Sequence, residues 1–90
     1  MSLIEKAIVI ANKYGLHGRT SAKLAETAAG FYSDIRLIKD GEEFDAKSIL
    51  DIMSMEGTKG TVVTIRANGL DADEAIKTLE VLVENRFGEE

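Results

Sequence analysis

The stretch 61–83, TVVTIRANGLDADEAIKTLEVLV, changes its apolar spacing half-way along, and this change decides the fold class. From Val63 to Ala67 apolar residues alternate with polar ones, which predicts a strand with one buried face. From Asp71 onward the apolar residues recur at helical spacing, with Asp71 as the predicted N-cap and Glu74 in the first turn. A strand that leads into an amphipathic helix predicts a sheet and helices that share one core.

Three further strands are predicted upstream of this stretch. Residues 4–11, 34–38 and 42–46 are rich in apolar residues that partly or fully alternate with polar ones. Asp40-Gly41 lies between the last two segments and is a two-residue signal for a hairpin turn. We therefore expect a hairpin at this point.

Two further helices are predicted between these strands. Over residues 18–29 small and apolar residues recur at i, i+3, i+4 and i+7, and Gly30 follows as a suitable C-terminal residue. A shorter helix is predicted to begin after Ser48, an N-cap residue with Asp51 three positions on in a weak form of the capping box. We expect this short helix to stop near Gly57.

The predicted order is therefore βαββαβα. It fits an α+β fold, a two-layer open-faced sandwich in which a four-stranded antiparallel sheet carries its helices on one face and leaves the other face to water. Residues 1–90 are predicted to form a single domain, because a chain of 90 residues supports one core. Periodicity alone leaves other small split βαβ folds open, including ferredoxin-like ones.

Composition excludes several classes of function. The absence of cysteine excludes disulfides, thiol catalysis and sulfur-ligated zinc, and a single histidine argues against a catalytic metal centre. The net charge of −5 argues against nonspecific binding to nucleic acid or to an anionic membrane. We expect a cytoplasmic protein without cofactor or metal, since neither a targeting segment nor a long apolar run is evident.

His17 is the candidate for chemistry. It stands directly before the predicted helix 18–29 and is followed by Gly18, Arg19 and Thr20. A helix N-terminus offers free N–H groups to an anion, and Arg19 would add charge-assisted hydrogen bonds to a phosphoryl group. Positive surroundings also favour a neutral ring nitrogen, which can act as a nucleophile. By spacing alone, however, an ordinary polar loop histidine is the more common case.

Three segments in order along nearly the whole chain resemble those of the HPr family, the histidine-containing phosphocarriers of the bacterial phosphoenolpyruvate sugar phosphotransferase system. The segments are GLHGR at residues 15–19 with Ser21-Ala22, AKSIL at residues 46–50, and GTVVTI at residues 60–65.

The resemblance implies a phosphoryl carrier rather than an enzyme. In that family a histidine matching His17 takes a phosphoryl group on Nδ1 from enzyme I, which draws it from phosphoenolpyruvate, and passes it to enzyme IIA proteins during sugar uptake. The family's active-site arginine matches Arg19 and is implied to steady the phosphoryl group. Its regulatory serine, which an HPr kinase/phosphorylase modifies in many bacteria, matches Ser48; the plain alternative is that Ser48 only caps a helix.

The chain departs from the family pattern at two positions beside His17. Thr20 stands where the family usually has proline, and Gly18 replaces the commoner alanine. We expect these changes to loosen the helix start by about 1 kcal/mol. The Thr20 hydroxyl is predicted to compensate, either by bonding phosphoryl oxygens or by capping, so Gly18 and Thr20 are predicted to form a phosphate-stabilising helix start with His17.

The short helix is the predicted docking element. It carries Ile49, Leu50 and Met53, and so short a helix cannot bury all of its apolar side chains. We expect Leu50 and Met53 to form part of an exposed apolar patch near His17, where methionine can adapt to several partners. The resemblance likewise implies that this helix and the first one contact enzyme I and enzyme IIA.

Other functions stay open from the sequence. A nitrogen-branch or mainly regulatory paralogue would share all these residues. A non-covalent sensor of small ligands, from a different class of protein, would need a pocket and would not need His17. An autonomous kinase or hydrolase lacks its motifs in this chain. Since transient docking suits a monomer, we expect a monomeric carrier.

Overall fold

Strands and helices follow one another in the order βαββαβα along residues 2–89, the part of the chain that this computed structural model describes. The elements are β1 (Ser2–Val9), α1 (Gly18–Ala29), β2 (Asp34–Lys39), β3 (Glu42–Asp45), α2 (Ile49–Ser54), β4 (Val62–Gly69) and α3 (Ala72–Glu84), followed by a 3-10 turn at Arg86–Gly88. The predicted element order is confirmed, with strand ends displaced by one or two residues.

Over the described residues the strands form a four-stranded antiparallel sheet in the order β1-β4-β2-β3. In this register Ile8 lies opposite Val63, and Leu37 lies opposite Ile65. These residues are buried, because α3 lies against β1 and β4 on their face of the sheet and buried residues of α1 join the same core. The predicted open-faced sandwich with helices on one face is therefore confirmed.

The opposite face of the sheet is exposed and charged. Arg66 on β4 donates to Glu5 on β1 and to Glu43 on β3, each at 3.0 Å. Arg66 thus pairs with the neighbouring strand β1 and, across β2, with β3, and such exposed ion pairs suit a face in contact with water.

The β2–β3 hairpin closes through Asp40 and Gly41 as predicted. Their φ angles of 52° and 80° are both left-handed, as a type I′ turn requires. Gly30 differs from the expectation for a helix-ending glycine, because its φ of −73° is right-handed and any residue could adopt it.

Asp71 is the N-cap residue of α3, as predicted, but its side chain makes no capping hydrogen bond to this helix. Its carboxylate instead accepts hydrogen bonds from the backbone N–H of Tyr32 at 2.8 Å, and from the N–H and hydroxyl of Ser33 at 2.9 and 2.6 Å. Asp71 thus ties the loop between α1 and β2 to the start of α3. The Ser33 and Tyr32 hydrogen bonds hold the pKa of the Asp71 carboxyl below its usual value.

Among residues 2–89, none of the helices combines the length and the apolar character needed to cross a membrane.

Candidate functional site

The loop that presents His17 is held against the neighbouring loop between α2 and β4. Leu16 donates its N–H to the Gly57 carbonyl at 2.8 Å. Gly15 has a left-handed φ of 64°, and a Cβ at this position would lie 2.3 Å from the Gly57 oxygen. Only glycine allows the two loops to approach so closely, so the sequence GLH sets where α1 begins.

His17 is the N-cap residue of α1, which confirms its predicted place at a helix start. Its Nδ1 accepts a hydrogen bond from the Arg19 backbone N–H at 3.2 Å, while its Nε2 lies 3.3 Å from Oε2 of Glu89. A carboxylate can only accept, so both contacts favour the neutral tautomer with the proton on Nε2 and a lone pair on Nδ1. The side chain is 33% exposed, which leaves the ring accessible.

Thr20, in the first turn of α1, caps the helix with its side-chain hydroxyl. Its hydroxyl donates to the Gly15 carbonyl at 2.8 Å and accepts from the His17 N–H at 3.0 Å. The residue is 1% exposed. Of the two predicted ways in which Thr20 could compensate for a missing proline, capping is therefore the one present, and these bonds oppose the predicted loosening.

Gly18 is exposed at the first position of α1. A Cβ added to it would meet nothing within 4 Å, so the commoner alanine would also fit here. Its predicted part in holding phosphate rests on its backbone N–H at the helix start.

Arg19 and Glu89 form the main ion pair of the site. The Arg19 guanidinium lies 2.6 Å from Glu89 Oε2, and Asn12 Nδ2 donates to the other carboxylate oxygen at 3.2 Å. The Arg19 hydrogen bond, more than the Asn12 one, holds the pKa of the Glu89 carboxyl below its usual value. Arg19 is 80% exposed, and its other N–H groups remain available to a further anion.

Sequence reasoning missed both Asn12 and Glu89. Glu89 meets His17 across a separation of 72 residues, and no local spacing indicates such a contact. One available signal was Phe87, an apolar residue beyond the last predicted helix, which is buried in the core.

The start of α2 confirms Ser48 as an N-cap. Its hydroxyl accepts from the Asp51 N–H at 3.2 Å. The expected capping box is wrong in its second half, since the Asp51 carboxylate accepts from the Asp45 N–H at 3.0 Å and the Ser48 N–H donates to the Asp45 carbonyl. Asp51 thus fastens α2 to the end of β3.

The prediction that α2 exposes apolar side chains is confirmed. Ile49, Leu50 and Met53 are 41%, 79% and 44% exposed, whereas Ile52 on the same helix is fully buried. Helix α2 also packs against α1, the helix that begins at His17. We call the three exposed residues Ile49, Leu50 and Met53 the α2 patch.

A family model described as the PTS HPr component phosphorylation site matches residues 4–85. The chain belongs to the HPr family of phosphocarrier proteins. The HPr of Cupriavidus necator is 40% identical over 97% of this chain and 98% of its own length. The phosphocarrier protein NPr of Shewanella violacea is 34% identical over 99% of this chain and 98% of its own length.

Solved HPr structures share the fold. The HPr of Thermoanaerobacter tengcongensis superposes with a TM-score of 0.93 at 47% identity, over 97% of this chain and 98% of that one. An HPr dimer from the same organism superposes with a TM-score of 0.78 at 48% identity, over 91% of this chain and 94% of that one.

Proposed function

We propose that this chain carries a phosphoryl group on Nδ1 of His17, accepting it from enzyme I and donating it to enzyme IIA in the phosphoenolpyruvate-dependent sugar phosphotransferase system. The observation that carries the proposal is the state of the ring, in which the contacts of both nitrogens favour a lone pair on Nδ1 at the N-terminus of α1. The match to a family model that names a phosphorylation site supports the same conclusion.

Acceptance is a displacement at phosphorus. The Nδ1 lone pair forms a bond to phosphorus as the bond to the donor breaks and its electron pair returns to the donor. The Arg19 N–H turns from Nδ1 toward the incoming oxygens, since the lone pair that it contacts is consumed. The helix start and the guanidinium of Arg19 then stabilise the two negative charges of the phosphoryl group.

The partners are proposed to dock beside His17 on the α2 patch. Exposed aliphatic side chains provide apolar contact area, and Met53 can repack against more than one partner. We propose enzyme I and enzyme IIA proteins as these partners, with the carrier acting as a monomer in the cytoplasm. Where an HPr kinase/phosphorylase exists in the host, Ser48 is its proposed target.

Incubation with enzyme I and phosphoenolpyruvate tests the carrier function. We expect one acid-labile phosphoryl group per chain, and none on His17→Ala, because His17 is the single histidine of the sequence. Ser48→Ala serves as the control and should be labelled as the unaltered protein is. Undiminished labelling of His17→Ala would overturn the assignment, and full cellular function of that variant would favour the non-covalent ligand sensor.

A second candidate is the nitrogen branch of the phosphotransferase system, which the NPr relative at 34% identity supports. Both branches use the same chemistry at His17, so the donor decides between them. We expect faster phosphorylation by the enzyme I of the sugar branch than by its nitrogen-branch counterpart. The reverse order would assign the protein to the second branch.

A further inference from the structure

The tail after α3 holds an acidic side chain against the reacting ring. Phe87 is 3% exposed within the core although its backbone is left-handed, with a φ of 57°. Lys23 on α1 donates to the Phe87 carbonyl at 3.2 Å. A buried aromatic anchor and a hydrogen bond therefore place Glu89, two residues further on, at His17.

The Glu89 carboxylate is itself tightly held. It accepts from Arg19 Nη2 at 2.6 Å and from Asn12 Nδ2 at 3.2 Å. Asn12 is fully buried, and its second amide hydrogen bond, at 2.8 Å, goes to the Gly15 carbonyl in the loop before His17. A carboxylate fixed on both oxygens keeps its orientation toward Nε2 without further loss of freedom during reaction.

Phosphorylation at Nδ1 changes the charge of the ring that Glu89 contacts. To react at Nδ1 the ring must have its lone pair there and its proton on Nε2, the tautomer that both contacts favour. When Nδ1 forms a bond to phosphorus with its lone pair, the proton stays on Nε2 and the ring gains a positive charge. Glu89 Oε2, 3.3 Å from Nε2, lies where that charge develops.

Arg19 can bind the phosphoryl group without breaking its hydrogen bond to Glu89. One guanidinium nitrogen, Nη2, contacts the carboxylate. The guanidinium has five N–H donors in a planar fork, so the remaining donors can reach phosphoryl oxygens. A phosphoryl group on Nδ1 would be farther from the Glu89 carboxylate than the ring's own positive charge is, since Glu89 contacts Nε2, so attraction to the ring is the closer of the two interactions.

Resting on the proposed function, we infer that Glu89 is a further residue of the phosphoryl-transfer site, which stabilises the positively charged imidazole ring of phosphorylated His17, and that Asn12 positions it. The ring, the carboxylate and the amide form a chain like the one that an acidic residue makes with a catalytic histidine in hydrolases.

Glu89→Gln tests this inference, because it removes the charge and keeps the shape. Glu74→Gln removes an equal charge from the first turn of α3, about 15 Å along the helix axis from the end that leads to the tail. Each variant is mixed with isotope-labelled unaltered protein and catalytic enzyme I, and the distribution of phosphoryl groups is measured by mass spectrometry. Rates of acceptance from phosphorylated enzyme I are measured separately.

We expect Glu89→Gln to accept phosphoryl groups about tenfold more slowly and to hold about tenfold less at equilibrium, the scale of one charge-assisted hydrogen bond. Glu74→Gln should match the unaltered protein within about twofold, the scale of an ordinary surface change. The single His17 ring gives an unambiguous nitrogen NMR signal, and its Nε2–H proton should shift upfield in Glu89→Gln alone.

The outcomes separate this inference from the proposed function. If the unaltered protein accepts no phosphoryl group, the carrier function itself fails. If it accepts one and Glu89→Gln behaves as Glu74→Gln does, Glu89 has no part in the transfer. If Glu89→Gln holds more phosphoryl than the unaltered protein, the carboxylate competes with the phosphoryl group and the inference is overturned.

Discussion

At the scale of single residues, the hydroxyl of Thr20 contributes to the stability of the folded chain, which its neighbours in sequence do not indicate. Thr20→Val keeps the shape of the side chain but removes the hydroxyl that bonds Gly15 and His17. We expect a loss of about 1 kcal/mol in the free energy of unfolding, measured in urea. Asn12 also donates to the Gly15 carbonyl, so that acceptor keeps a partner and the loss stays moderate.

Thr27→Val is the matched control for this change. The Thr27 hydroxyl donates to the Lys23 carbonyl within α1 at a solvent-exposed hydrogen bond, so its loss should cost less than about 0.5 kcal/mol. If Thr20→Val and Thr27→Val lower the free energy of unfolding equally, the Thr20 hydrogen bonds stabilise the protein no more than an exposed one does. For the same reason Thr20→Pro, which introduces the residue that the family usually has here, is expected to destabilise the helix start, because proline has no hydroxyl to bond Gly15 and His17.

At the scale of elements, α2 combines a cap and a docking surface, and Ser48 belongs to both. Ser48→Ala should lower the free energy of unfolding by about 1 kcal/mol, because the Asp51 N–H loses its acceptor. Ser48→Asp retains a capping oxygen at a helix N-terminus and should leave thermal unfolding nearly unchanged. Its new charge beside Ile49 and Leu50 should weaken enzyme I binding, since docking must desolvate it.

Titration of enzyme I against both forms measures the second effect. Thr78→Asp, at an exposed position of α3, adds the same charge away from the α2 patch and should bind enzyme I as the unaltered protein does. Equal affinities of Ser48→Asp and Thr78→Asp would contradict a docking surface on α2. A large loss of stability in Ser48→Asp would show that Ser48 is chiefly a structural cap.

At the scale of the whole molecule, two carboxylates with depressed pKa values link acidity to stability. Asp71 ties the α1–β2 loop to α3, and Glu89 ties the tail to the start of α1. Both pKa values are lower in the folded chain, so their contributions are present above the unfolded values, about 4, and are lost as the pH falls through the folded values. We expect the melting temperature to be level near neutral pH and to fall below about pH 4.

Thermal unfolding between neutral pH and pH 3 checks this expectation. Asp71→Asn and Glu89→Gln should each be less stable than the unaltered protein at neutral pH and should lose less stability on acidification. Glu74→Gln, whose carboxylate has no described partner, should keep the full dependence. A variant of Asp71 with an unchanged acid slope would mean that other carboxylates account for the linkage.

The amino-acid sequence by itself determined the order of strands and helices, the hairpin at Asp40-Gly41 and the place of His17 at a helix start. These features depend on periodicity, turn residues and caps, which act over a few residues and are therefore visible in local spacing.

Only the tertiary structure decided which distant side chains meet. Asp71 was predicted to cap its own helix yet bonds Ser33, 38 residues earlier, and Glu89 reaches Asn12 across 77 residues. On α2 the exposure of Leu50 was predicted, but the full burial of Ile52 on the same helix was decided by packing. Such contacts arise because the sheet and helices, once packed, bring chain ends together, and a polar group then takes the nearest partner that satisfies it.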